Sequence, residues 1–155
     1  MEYAAGEGRG WREEVRPWLE TEMACEVFNP NVESDRMLGM LCPGEDFRRM
    51  KEREPERYRR IVTQLVDLDC REIAQRSDFV VCFWDDGAMR GAGTKGELTM
   101  AKYFGKPVYM VTAIPTHDIP GWVLGCTTRI FPSFDGLRTF LRSILPHTAP
   151  SPISS

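Results

Sequence analysis

The chain has 155 residues, enough for one domain with a single core, and its net charge of −3 gives no general attraction to nucleic acid or an anionic membrane surface. Five cysteines without a Cys-x-x-Cys pair lie in or beside apolar segments, which reads as reduced thiols of a cytoplasmic protein rather than a disulfide frame or zinc site. No apolar run approaches the ~20 residues that span a bilayer, and the first six residues have neither region of a signal peptide.

Residues 1–5 read as a short first strand, closed by Gly6-Glu7-Gly8-Arg9-Gly10. Only five residues precede Gly6, so this strand is either very short or starts upstream of Met1. Trp11, Val15, Trp18 and Leu19 fall at helical spacing and predict an amphipathic helix over 11–22. Residues 25–28 read as a strand stopped by Asn29-Pro30-Asn31, and residues 32–54 as a polar, irregular stretch, part of a charged insert over 32–60 that covers a cleft or forms an interface. The arginines of residues 47–60 are interleaved with glutamates, the pattern of a solvated helix face rather than a polyanion groove. From Pro55 to Ala74 an apolar stripe predicts a helix, interrupted near Asp67-Leu68-Asp69.

The apolar run 78–84 is the next strand, followed by the glycine-rich Gly91-Ala92-Gly93-Thr94-Lys95-Gly96 and a helix over 95–104. Gly105 suits the position after that helix, and Pro107 cannot continue it. Residues 108–112 are a strand, 113–126 a connection with room for one helical turn, and 127–131 a last strand. Ser133 caps a final helix to Leu145, and the Pro/Ser-rich tail 147–155 reads as disordered. Strands alternating with helices imply an α/β fold. The expectation is a flavodoxin/Rossmann-like three-layer sandwich over residues 1–146, with a mostly parallel five-stranded sheet and its cleft at the strands' carboxyl edge.

That edge concentrates the chemistry. Glu97 follows the glycine loop and is either the acceptor of a capping box begun by Thr94 or a reagent, held ionised by the helix dipole. Gly93 allows close backbone approach to a ligand, and Gly96 is costly in a helix without a reason. Arg9, with Gly6 and Gly10, forms either a phosphate clasp or a flexible turn. Asp67 and Asp69 face different directions on one helix, so one of them points into the cleft or neither does. Asp85 and Asp86 sit just after the strand as ligand contacts or turn residues. His117 and His147 form no metal or catalytic constellation. The tryptophans read as packing residues, with Trp84 or Trp122 able to stack on a base at a cleft rim.

Taken in order, Tyr3-x-x-Gly6-x-x-Arg9-Gly10, Phe28-Asn29-Pro30, Asp69-x-x-x-Ile73 with Ser77-Asp78-Phe79-Val80-Val81, Gly93-Thr94-x-x-Glu97-Leu98, and Gly105-Lys106-Pro107-Val108 resemble the nucleoside 2-deoxyribosyltransferase-like superfamily. That superfamily includes the 2′-deoxynucleoside 5′-phosphate N-hydrolases, and the resemblance runs from Tyr3 to about Leu141. It implies Glu97 as nucleophile on a nucleoside or nucleotide, Tyr3 positioning it, and Asp69 protonating or orienting the base. It further implies Gly6, Arg9, Gly10, Asn29, Asp85, Asp86, Gly93 and Thr94 around the substrate, no cofactor and no metal, and a homo-oligomer. Gly91 stands where the transferases carry an aspartate, and Gly6-x-x-Arg9-Gly10 is similar to the hydrolases' phosphate loop, although Glu7 within it is repulsive to phosphate. The expected activity is release of a base from a (deoxy)nucleoside 5′-monophosphate. Base exchange by a deoxyribosyltransferase, a non-catalytic nucleotide sensor and NAD glycohydrolysis are the rivals.

Overall fold

A computed structural model describes residues 10–145. The strand expected over 1–5, Tyr3, Gly6 and Arg9, and the tail from 147 lie outside them. Three strands, β1 (Val80–Phe83), β2 (Val108–Val111) and β3 (Arg129–Phe131), form a parallel sheet in the order β1-β2-β3. Val80 to Phe83 pair with Val108 to Val111, and Met110 and Val111 with Ile130 and Phe131. Eight helices surround it among the described residues: α1 (Gly10–Met23), α2 (Pro30–Leu41), α3 (Phe47–Arg53), α4 (Pro55–Arg71), α5 (Asp86–Arg90), α6 (Gly93–Tyr103), α7 (Gly121–Cys126) and α8 (Phe134–Ile144).

The alternation of β2 explains how the helices sort. Val108 and Met110 face a cluster with Leu98 and Ala101 of α6, Val123 and Cys126 of α7, and Ile73. Tyr109 and Val111 face the other side with Val15, Trp18 and Leu19 of α1 and Leu137 and Leu141 of α8. A strand buried on both faces has no polar side to show, hence its unbroken apolar run. Glu22 ties α1 to α8 by binding Arg138 and Arg142. A third, smaller cluster of Cys42, Met50 and Ile61 joins α2, α3 and α4, where Phe47 stacks on Tyr58 at 4.7 Å between ring centroids.

These elements correct the expected five-stranded sandwich: the described residues are mostly helical around three strands. Residues 25–28 form no strand among them. Ala24 takes a left-handed conformation at φ 50°, and the Cys25 N–H donates back to the Leu19 carbonyl at 3.0 Å, so the run opens as the exit of α1. The stretch 32–54 is not irregular. Asn29 and Asp46 cap α2 and α3 by accepting backbone N–H groups, and Pro30 occupies the first turn of α2, where its missing donor costs nothing. No break occurs at Asp67–Asp69; α4 runs through to a π turn over Glu72–Arg76.

The segment from Gly105 onward follows the sequence more closely. Gly105 ends α6 at φ 69°, and the Ser133 hydroxyl accepts the Gly136 N–H at 3.2 Å. The connection 113–126 holds a 3-10 turn and α7.

Candidate active site

Three parallel strands put their carboxyl ends on one edge, and Phe83, Val111 and Phe131 are in register there. The Trp84 N–H continues the ladder to the Val111 carbonyl at 2.9 Å. The buried Thr112 hydroxyl donates to the Trp84 carbonyl at 2.7 Å, closing the chain just beyond. The next residue, Asp85, accepts the Ala88 N–H at 2.8 Å and starts the one-turn helix α5. Lys95 donates to the Met89 carbonyl at 2.6 Å, which pins α5 against the start of α6.

Glu97 therefore stands in the second turn of a helix that begins at Gly93. Ala92, not Thr94, is the residue before the helix, and no side chain caps it. The capping-box reading is corrected: the Glu97 carboxylate is not spent on a helix end. Gly93 and Thr94 lie four and three residues before it, one turn below on the same face. A Cβ at Gly93 or Gly96 would meet nothing within 4 Å, so packing within the described chain does not demand either glycine.

Charged and titratable groups on three other elements couple to Glu97 of α6. Asp69 of α4 and Cys82 of β1 both feel its negative charge, and Arg12 of α1 feels Glu97, Cys82 and Asp85. Burial is the main influence on each. It pushes Glu97 above the usual carboxylate range, against the pull of Arg12, which corrects the expectation that the helix dipole keeps it readily ionised. Burial first, and the Glu97 charge second, lift Asp69 from 3.8 to about 7. Burial pushes the Cys82 thiol up to about 12, so it is protonated and unreactive at neutral pH. Desolvation lowers Arg12, opposed by the carboxylates beside it. One Asp69 oxygen, Oδ1, is buried without a hydrogen-bond partner among the described residues. Burial thus raises both carboxyl groups, and the Arg12 charge opposes the rise at Glu97.

Arg12 was invisible as a site residue in the sequence, where it is one more polar position on an amphipathic helix. Its guanidinium lies 4.4 Å from the centroid of the Trp11 ring, which itself stacks on Phe134 with centroids 5.7 Å apart. It also walls a groove of about 230 Å³ between α1 and α2, with Glu13, Arg16, Asn29, Asn31, Val32 and Asp35. A second groove, of about 180 Å³, is framed by residues from Glu45 to Glu54 and shares no residue with this centre.

Of the remaining expected contacts, Gly10 is the first residue of α1, while Asp86 and Asp67 are exposed. Trp84, 1% exposed, is a core residue and cannot stack on a ligand at a rim. Trp122 is exposed, with its indole N–H on the Thr99 hydroxyl at 2.9 Å. All five cysteines are free thiols, and among the described residues no three His, Cys, Asp or Glu side chains could hold a metal ion. No helix among them is long and apolar enough to cross a membrane. No family model, curated protein or solved structure matches the chain.

Proposed function

We propose that the protein cleaves the N-glycosidic bond of a (deoxy)nucleoside 5′-monophosphate, with Glu97 as nucleophile and Asp69 as general acid. The observation that carries this reading is the coupled pair of partly or fully buried carboxyl groups, Glu97 and Asp69. Burial raises both; the Arg12 charge opposes the rise at Glu97, and burial together with the Glu97 charge lifts Asp69 to about 7. Glycosidic chemistry requires two coupled carboxyl groups, one attacking as the carboxylate and one donating a proton.

In the first step the Glu97 carboxylate bonds to C1′ as the bond from C1′ to the base breaks. The electron pair of that bond leaves with the base nitrogen, which takes the Asp69 proton. Asp69, now ionised, draws a proton from water, and the resulting hydroxide attacks C1′ of the ester. This releases the sugar phosphate and restores both carboxyl groups. Arg12 favours the ionised Glu97 that must attack. Tyr3 and the Gly6–Gly10 segment carry the positioning and phosphate roles in this reading. It also includes assembly into a homo-oligomer, supported by the exposed Tyr103 and Phe104 of the α6 end and Trp122 of α7.

The test is chromatography of free base released from a panel of ribo- and deoxyribonucleosides and their 5′-monophosphates, with and without an acceptor base. Release from monophosphates in water supports the hydrolase. Turnover only with acceptor present replaces it with a transferase, and silence across the panel removes the enzyme.

A further inference from the structure

The groove between α1 and α2 contains one side chain whose hydrogen-bonding polarity is fixed by the fold. Asn29 caps α2, and its Oδ1 accepts the Asn31 N–H at 3.1 Å. The cap requires the oxygen on that side, so the amide nitrogen takes the other. Among the described residues the two Nδ2 hydrogens have no partner, and Asn29 is half-buried in the groove wall. Asn29 lines the groove, and the face of its amide turned away from the cap is a donor that cannot become an acceptor without losing the cap.

The other walls narrow what it takes. Its volume of about 230 Å³ is below the ~300 Å³ at which pockets for drug-sized ligands begin, and suits one ring system rather than a whole nucleotide. Arg12 and Arg16 add donors, Arg16 being paired with Glu20 at 2.7 Å. Glu13 and Asp35 offset Arg12 and Arg16 on the same walls, so the lining carries no net formal charge and suits a neutral occupant better than a phosphate dianion. Arg12 lines the groove and also feels the Glu97 charge, which links the two electrostatically. In a nucleotide the neutral ring bonded directly to C1′ is the base.

We propose that this groove is the base subsite, and that Asn29 makes it select bases presenting a carbonyl oxygen over those presenting an exocyclic amine at the same position. The inference rests on the nucleotide-hydrolase reading for its substrate, but the groove and the amide polarity are independent of it. A carbonyl accepts the Nδ2 hydrogen. An amine in its place leaves two donors facing each other and one desolvated without a partner.

The matched pairs are uridine against cytidine 5′-monophosphate and inosine against adenosine 5′-monophosphate, ribo and deoxy. Wild type is expected to favour the oxo base by about 10- to 100-fold in kcat/KM. Asn29→Asp keeps an equally good cap but exchanges the outward donor for an acceptor, and should bring that ratio to one or below. Asn29→Ser keeps a cap with no outward arm, and should abolish the preference without reversing it. A ratio unchanged in both variants overturns the inference and leaves the hydrolase standing. If wild type releases no base at all, the hydrolase reading fails instead, and the same nucleotides are titrated as ligands by amide NMR. Shifts at Asn31 and Val32 with the oxo member alone uphold the subsite; equal shifts, or none, overturn it.

Discussion

Asp69→Asn is expected to stabilise the protein, and to do so only where the wild-type carboxyl is ionised. Burial and the neighbouring Glu97 raise the Asp69 pKa from 3.8 to about 7 in the folded chain, and its buried Oδ1 has no partner among the described residues. Between those two values the folded state keeps a proton that the unfolded state has released. Stability therefore falls as pH rises from 3.8 to about 7 and stays at the lower level above. A displacement of that size is worth ~4 kcal/mol at full strength, and solvent screening of the partly exposed side chain reduces it to about 2 kcal/mol. Asparagine has the same shape and no charge to desolvate. Urea unfolding of both proteins at about pH 8 and about pH 4 measures the effect, with a gain of about 2 kcal/mol expected at the higher pH and almost none at the lower. An Asp69→Asn variant no more stable than wild type at the higher pH, or equally stabilised at both, refutes the desolvation argument.

Glu97→Gln should lower base release by about 10³-fold or more with an unchanged far-UV circular dichroism spectrum, and near-wild-type turnover would rule Glu97 out as nucleophile. Leu141→Ala removes a side chain that is 0% exposed between α8 and the sheet and should cost ~2–5 kcal/mol in urea unfolding. A loss below ~1 kcal/mol would mean the cavity collapses freely. Gly105→Ala meets no atom within 4 Å, so its cost is that of the left-handed backbone alone, about 1 kcal/mol, and a larger loss would point to a contact beyond the backbone.

What the sequence made legible was local. The apolar runs at β1 and β2, the stop at Gly105 and the cap at Ser133 each depend on a few adjacent residues, and all four appear where their chemistry puts them. Asn29-Pro30 shows the limit. The same dipeptide ends a strand or begins a helix, and reading it as an end concealed α2 and, with it, the small cluster that organises residues 30–61. The capping box failed for a related reason, because helix spacing does not say which residue is first, and α6 starts at Gly93. Glu97 and Asp69 were visible as carboxylates near the sheet edge. Their raised, coupled titration was not, since it arises from burial and from charges such as Arg12, 85 positions before Glu97, that tertiary packing brings within electrostatic reach.

The third cluster gives the molecule two unequal halves. Helices α2 and α3 rest chiefly on α4 through Cys42, Met50 and Ile61, while Glu97, Cys82 and Arg12 belong to elements packed against the sheet. Asn29 stands at the root of the first group. Replacements on α2 can reshape the groove wall without touching β1 or α6, which carry Cys82 and Glu97. Under the proposed function, substrate choice can then drift on α2 while Glu97 stays in place, as interchangeable jaws do on one tool.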